Sequence, residues 1–292
     1  MEPDVSALLK EDAVTLFKRA QEIAKNRESR FRWPIFFNTS CTVNPRCRHC
    51  FWYGSRYYDT DWIRRYSLEE VVEKATALEK AGIKKTHLVS GWMGYEVPEY
   101  YYDYISAIKE KTHLEIYGQF GPLSKECLIR LKKAGMDGYW TGIEVMNEKT
   151  FKNLRPGDNL QARLTTLRDT KELGLGVWSS FLMGVGETDE DVAREIEFVK
   201  ELGIGSLMVI PLKPVPFTEM ERAEFPNQYR VAKAMAAARI SLGEKVDIVS
   251  FTGMSYIEWG IRAGANEFEV SYPWEMAKID HMRKTFYASG AH

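Results

Sequence analysis

Gly176-Val177-Trp178-Ser179-Ser180-Phe181-Leu182-Met183, followed by Gly184-Val185-Gly186-Glu187-Thr188, is the stretch that decides the fold. A mostly apolar run of this length, with Val177, Trp178 and Phe181 in it and a glycine turn closing it, reads as a buried strand over 176–183. The periodicity that follows predicts a helix over 188–202, stopped by Gly203, and a new apolar run opens a strand over 205–211. Strand, helix, glycine and strand form one βα unit.

The same order recurs on both sides. Ser67-x-x-Glu70 is a capping-box signature that starts a helix over 67–81, stopped by Gly82, with a strand over 86–90 behind it. A helix over 98–110 precedes a strand over 113–118. A helix over 124–134 ends at Gly135 before a strand over 138–143. A helix over 160–173 ends at Gly174. Downstream, a helix over 227–242 and Gly243 precede a strand over 246–251, and a helix over 254–263 and Gly264 precede Glu267-Phe268-Glu269-Val270. Pro34-Ile35-Phe36-Phe37 supplies a first strand. An amphipathic helix over 5–27 comes before it, with Leu9, Leu16, Ala20 and Ile23 near one face. Strand–helix alternation implies a parallel sheet with right-handed crossovers. Eight units favour a closed (β/α)8 barrel of TIM type over an open doubly wound sheet, and 292 residues suit a barrel of about 250. The expected division is an N-terminal helical extension over 1–30 and a barrel domain over 31–292.

Composition narrows the function. A net charge of −1 offers no electrostatic capture of nucleic acid or of an anionic membrane. Met1-Glu2-Pro3-Asp4 has no basic, apolar leader pattern and no run approaches a membrane span, so a cytoplasmic protein is expected. Of four cysteines, three lie in one short loop, Cys41, Cys47 and Cys50, spaced Cys-x5-Cys-x2-Cys directly after the first strand. Clustered thiols of this kind read as a metal site rather than a disulfide framework. Three protein ligands leave a metal position open. Structural zinc with His49 as fourth ligand is one alternative. An electron carrier with Cys127 as fourth ligand is another, although Cys127 falls in an expected helix and reads better as a small buried residue. Two further segments sit at strand ends, where barrel enzymes work. Thr141-Gly142-Ile143-Glu144 carries a carboxylate able to take two hydrogen bonds from a ribose diol. The Gly184–Gly186 turn lets backbone come close to a ligand.

Together these pieces resemble the radical S-adenosylmethionine (SAM) enzymes, in the branch of biotin synthase and the hydrogenase-maturation and pyrrolysine-biosynthesis enzymes. Besides the cysteine loop, the similarity lies in Lys152-Asn153-Leu154-Arg155-Pro156-Gly157-Asp158-Asn159-Leu160-Gln161-Ala162-Arg163-Leu164, in Met183–Thr188 and in Ile261-Arg262-Ala263-Gly264-Ala265-Asn266. The x5 gap is two residues longer than the family's usual one. It is similar to that of the radical SAM proteins associated with [Fe]-hydrogenase and its iron-guanylylpyridinol cofactor. The resemblance implies a [4Fe–4S] cluster on Cys41, Cys47 and Cys50, with SAM chelating the open iron. His49 would stand where an aromatic residue meets the adenine. Ser90 and Gly91 would bind the SAM amino group through backbone, although Trp92 replaces the family's acidic residue. Glu144 would bind the ribose and Arg163 the SAM carboxylate, while Met183, Gly184, Val185 and Gly186 would run along the adenine. The resemblance further implies a small-molecule substrate in the barrel and an external one-electron donor of ferredoxin or flavodoxin type. Candidates to meet substrate are Asn38, Tyr117, Gln119, Trp140, Trp178, Ser180, Thr252 and Glu269. Trp52, Tyr53, Tyr57, Tyr58 and Trp62 are candidates for a cover.

Overall fold

The computed structural model describes residues 4–38, 40–50, 65–215, 218–251 and 256–269. Thr252 and the five aromatic residues expected to form a cover lie outside them. Eight strands follow the chain: β1 (Arg30–Asn38), β2 (Lys85–Ser90), β3 (Glu115–Gln119), β4 (Gly138–Trp140), β5 (Gly176–Met183), β6 (Ser206–Pro211), β7 (Asp247–Phe251) and β8 (Glu267–Glu269). They close into a parallel barrel in sequence order, the α/β architecture that the βα repeat implies. The helices between them are α3 (Leu68–Lys80), α4 (Tyr100–Lys111), α5 (Lys125–Lys133), α6 (Glu148–Leu154), α7 (Leu160–Glu172), α8 (Asp189–Leu202), α9 (Gln228–Leu242) and α10 (Tyr256–Arg262). Internal contacts divide the chain into two compact units, one of Met1–Arg32, Ser180–Leu212 and Phe225–His292, the other of Trp33–Ser179 and Lys213–Glu224.

In the unit containing Trp33–Ser179, each strand has two buried faces, as a parallel sheet requires. On the helix side, Phe37 packs edge-on against Tyr101 at 4.7 Å and against Phe120 at 5.7 Å. On the other side, Tyr117 stacks on Trp178 with ring centroids 3.6 Å apart, and His87 meets Trp140 at 4.7 Å. Gly138 and Gly176 make this stack possible, since a Cβ on either would lie within 2.2 Å and 2.5 Å of the Tyr117 ring and hydroxyl. The Ser67 capping box forms as the sequence implies, with Ser67 N–H donating to Glu70 Oε2 at 2.7 Å.

In the other unit, the expected single helix over 5–27 is two helices, α1 (Val5–Lys10) and α2 (Ala13–Ala24). The Asp12 carboxylate accepts the Thr15 N–H at 3.1 Å and starts a second helix, while Glu11 turns extended. Local side-chain bonding of this kind competes with helix continuation. Buried Arg239 on α9 ties the loops below β7 and β8 together through the carbonyls of Gly264, Gly243 and Val246 at 2.9, 2.8 and 2.7 Å. On β1, Arg32 pairs with Glu267 and donates to Ser206 Oγ at 2.9 Å. Burial pushes the neighbouring Glu269 carboxyl up to about 7. Among the described residues no helix is long and apolar enough to cross a membrane.

Candidate active site

The cysteine loop leaves the end of β1 and is seated on backbone at both flanks. A Cβ on Gly91, at the end of β2, would lie 2.1 Å from the Ser40 carbonyl oxygen and 2.6 Å from Cys41 Cβ. Gly91 N–H donates to Asn38 O at 3.2 Å, and Thr42 N–H to Trp92 O at 2.8 Å. On the far flank, a Cβ on Gly157 would lie 2.2 Å from Pro45 O and 2.6 Å from the Asn44 carbonyl carbon. Asn44 and Pro45 occupy the extended gap between Cys41 and Cys47, so the long spacing is accommodated by a glycine in another loop. Arg48 closes the arrangement, its N–H on Leu154 O at 2.9 Å and its guanidinium on Asn153 Oδ1 at 2.6 Å.

All four cysteines are free thiols. Cys47 is buried, which pushes its thiol up, with the Arg155 and Arg163 charges acting in the opposite sense. Cys127 is fully buried on α5, 3.6 Å from the Tyr102 hydroxyl. The His49 ring has its Nδ1 shut off from water without a hydrogen-bond partner. Burial, helped by Arg155, lowers its pKa to about 4, so the ring is neutral near pH 7.

Beside this loop lies a cluster of two arginines and two carboxylates. The expected strand over 138–143 ends at Trp140, because the chain must turn sharply to present Glu144. Glu144 has φ of 69°, and Val145 N–H donates back to Ile143 O at 2.9 Å. This is a γ-turn of the positive-φ form, rare and strained for a residue with a side chain. Helix α6, absent from the sequence reading, then runs from an Asn147 cap to Arg155. Glu144 Oε1 accepts from Arg155 Nη1 at 3.1 Å and from Arg163 Nη1 at 3.3 Å. Asp158 Oδ2 accepts from Arg155 Nε at 2.8 Å and from Arg163 Nε and Nη2 at 3.0 and 2.7 Å. Burial alone would raise the Asp158 carboxyl; the Arg163 and Arg155 guanidiniums outweigh it and hold it well below the usual carboxylate range. Sequence reasoning found Glu144 and Arg163 and missed Arg155 and Asp158, although both lie within the family-like segment.

In the other unit, Met183 ends β5 and Gly184, Val185 and Gly186 follow it. The missed residue here is Glu187. Its carboxylate accepts the N–H groups of Gly184 and Val185 at 2.9 and 2.8 Å and pairs with Arg230. Two of the turn's donors are therefore spent on holding the turn. Among the substrate candidates, Tyr117, Trp140 and Trp178 share the aromatic layer with His87, which the sequence did not flag. Asn38 instead points to α4, donating to the Tyr100 and Tyr101 hydroxyls at 3.0 Å each.

A tetrahedral zinc site needs side chains converging on one ion. Among the described residues no three His, Cys, Asp or Glu side chains do so. A four-iron cluster takes one thiolate per iron, so its ligands stand apart around the cube. The donor set of three thiols on a braced loop suits that group.

A parallel barrel with a cysteine loop and an ionic cluster at its strand ends defines a class of metal–sulfur barrel enzymes. The Radical SAM superfamily profile matches residues 35–199, and the chain belongs to that superfamily. The [FeFe] hydrogenase maturase subunit HydE of Thermotoga maritima is 30% identical over 86% of this chain and 73% of its own length. Biotin synthase of Thermotoga neapolitana is 31% identical over 69% of this chain and 73% of its own. An uncharacterized protein of Methanocaldococcus jannaschii is 28% identical over 82% of this chain, which spans 64% of that relative's length. Methylornithine synthase shares the fold, with a TM-score of 0.81 at 21% identity, covering 91% of this chain and 81% of its own. The chain is a radical SAM enzyme of the biotin synthase-like group, and its cofactors are a [4Fe–4S] cluster and SAM.

Proposed function

We propose that this chain cleaves SAM reductively in the biosynthesis of the iron-guanylylpyridinol cofactor of [Fe]-hydrogenase, as a protein of the HmdB type. The observation that carries this reading is the Cys-x5-Cys-x2-Cys loop with its Asn44-Pro45 segment seated on Gly157. In this reading Cys41, Cys47 and Cys50 hold the cluster. When bound, the cluster supplies the electron that splits the SAM sulfonium into methionine and a 5′-deoxyadenosyl radical. The protein's part is to position and shield. Glu144 keeps Oε2 uncommitted to protein, directed by its turn, and offers it to a ribose diol. The neutral His49 ring lies against the adenine, and its buried Nδ1 accepts a hydrogen bond there. Gly91 brings the end of β2 against Cys41, so the backbone at Ser90 and Gly91 is available to the SAM amino group. The aromatic layer of His87, Tyr117, Trp140 and Trp178 excludes water beneath the reacting groups. A ferredoxin- or flavodoxin-like protein supplies electrons, a small molecule is the substrate, and the protein works in the cytoplasm.

The test is anaerobic reconstitution with iron and sulfide, reduction with dithionite, and assay of 5′-deoxyadenosine after SAM is added. Deletion of the gene in its host should then remove guanylylpyridinol cofactor from [Fe]-hydrogenase. SAM cleavage with unaltered cofactor, or a host without that hydrogenase, would sink the HmdB reading. Biotin synthase, at 31% identity, supports a second reading in the same group, sulfur insertion or carbon-skeleton rearrangement. Transfer of sulfur to a carbon substrate would favour it.

A further inference from the structure

The cysteine loop has two flanks, and they differ in charge. On the β2 side the loop rests on Gly91 and Trp92, and the chain just beyond carries Glu96 and Glu99, both exposed. Glu99 is balanced by Arg130 at 2.6 Å, whereas Glu96 accepts from the Ser124 hydroxyl, a neutral partner. On the α6 side the sign reverses. Lys149 and Lys152, three positions apart, share the exposed face of α6, while Phe151 and Leu154 are buried. Among the described residues neither ammonium has an anionic partner. Arg46 and Arg48 stand on either side of Cys47 in the loop. Arg48 ties loop and helix together, its N–H on Leu154 O at 2.9 Å and its Nη1 on Asn153 Oδ1 at 2.6 Å. The acids on this flank are Glu148, which accepts from Gln161 Nε2 at 2.8 Å, and Glu219, which meets Arg48 Nε at 2.8 Å on the surface. Four cations therefore stand against two carboxylates. Asn44 and Pro45, both exposed, extend this surface to Gly157.

SAM cleavage at a four-iron cluster needs one electron from an external donor, so a donor must come up to the cysteine loop. We propose that the face of α6 bearing Lys149 and Lys152, together with Arg48, docks an acidic protein that carries a one-electron group. The carrier loses one electron and the cluster gains it. The inference rests on the proposed cluster at Cys41, Cys47 and Cys50. Charge selects the flank, since the α6 side attracts an acidic partner and the carboxylates of the β2 side repel it. Connectivity selects it as well. Arg48 is covalently next to Cys47 and hydrogen-bonded to α6, so a donor seated on the helix arrives one residue from a ligand thiol. A seven-residue helix and a loop make a small polar surface, which suits the brief encounters of electron transfer.

The experiment uses the reconstituted full chain and compares wild type with the double variant Lys149→Glu/Lys152→Glu and with Glu96→Lys. Cluster reduction is followed by the bleaching of its absorbance, with two reductants. One is a reduced flavodoxin, as the acidic carrier; the other is reduced methyl viologen, a small cation that needs no docking surface. Melting temperature and iron content are read for each protein. The lysine reversal should keep its iron and melting temperature. It should slow reduction by flavodoxin about tenfold or more at low salt, and the difference should vanish in about 1 M salt, where screening shortens to about 3 Å. Reduction by methyl viologen should not slow. Glu96→Lys should leave the flavodoxin rate unchanged or raise it. Equal flavodoxin rates in wild type and the lysine reversal would overturn the inference. So would slowing with both reductants, which would mark a damaged cluster, or an equal loss in Glu96→Lys. A wild type that takes up no iron, or that methyl viologen cannot reduce, would overturn the cluster assignment first.

Discussion

Gly157→Ala puts the seat of the long cysteine gap to a direct test. The added methyl would stand 2.2 Å from Pro45 O, 2.6 Å from the Asn44 carbonyl carbon and 2.8 Å from Asn44 O. All three are backbone atoms, so no side chain can rotate out of the way, and either the loop or the α6–α7 connection must move. Overpacking by one methyl costs about 1–3 kcal/mol. With about 2.1 cal/mol/K of unfolding entropy per residue over 292 residues, 2 kcal/mol lowers the melting temperature by about 3 °C. The displaced segment lies two residues before Cys47, so the thiol geometry should suffer along with stability. The assays are the thermal melt of the metal-free protein and iron per chain after anaerobic reconstitution. A deletion of Asn44 and Pro45 completes a double-mutant cycle. With the segment removed, Gly157→Ala should add little, and the two changes should couple by more than the roughly 0.5 kcal/mol expected of independent sites. A Gly157→Ala protein with wild-type melting and iron uptake, or strictly additive costs, would show that the loop does not rest where the structure puts it.

Other perturbations reach other parts of the molecule. Asp158→Asn leaves two buried guanidiniums short of a counter-ion and should cost about 3–5 kcal/mol, seen in urea melts. Since the folded pKa of Asp158 lies below its unfolded value, its contribution is complete above about pH 4 and lost as pH falls further; the variant should lack that part of the acid limb. Glu269 has the opposite sign. Burial raises it to about 7, so between about pH 4 and that value only the unfolded chain is ionised, and stability falls with rising pH by on the order of 3 kcal/mol. Glu269→Gln should flatten that slope in melts taken from pH 4 to 8. Glu187→Gln removes the anion from two N–H groups and from Arg230 and should cost about 1.5–3 kcal/mol in melts, with unchanged iron uptake on the cysteine loop. Cys50→Ala should abolish cluster absorbance and 5′-deoxyadenosine formation together.

The barrel was legible in the sequence because each βα unit announces its own ends. β5 runs from Gly176 to Met183 as read, bounded by a turn, and α8 begins at a Thr188–Asp191 capping box and stops at Gly203, φ 67°. Periodicity misled at the N-terminus, where the apolar phase from Leu9 to Leu16 carries across the break that Asp12 imposes. It misled again at β4: Ile143 is buried and apolar, yet it belongs to the turn behind Glu144. In the site, residues whose type states their chemistry were singled out, such as the cysteines, Glu144 and Arg163, and the structure sets Glu144 beside Arg163. Residues defined by a partner were not. Arg155 and Asp158 become meaningful only when the end of α6 and the start of α7 meet β4, and Gly157 only when a loop more than 100 positions earlier lies on it. Glu187 left one signal, an acid between a Gly-x-Gly turn and a helix cap.

The positive φ of Glu144 bears on how this protein can evolve. Glycine or asparagine would sit in that γ-turn at lower conformational cost, so the glutamate carries a backbone cost that is set against its ion pairs with Arg155 and Arg163. In the proposed function that backbone cost is kept for the ribose, and a descendant that had exchanged Glu144 would keep the barrel while losing the proposed contact.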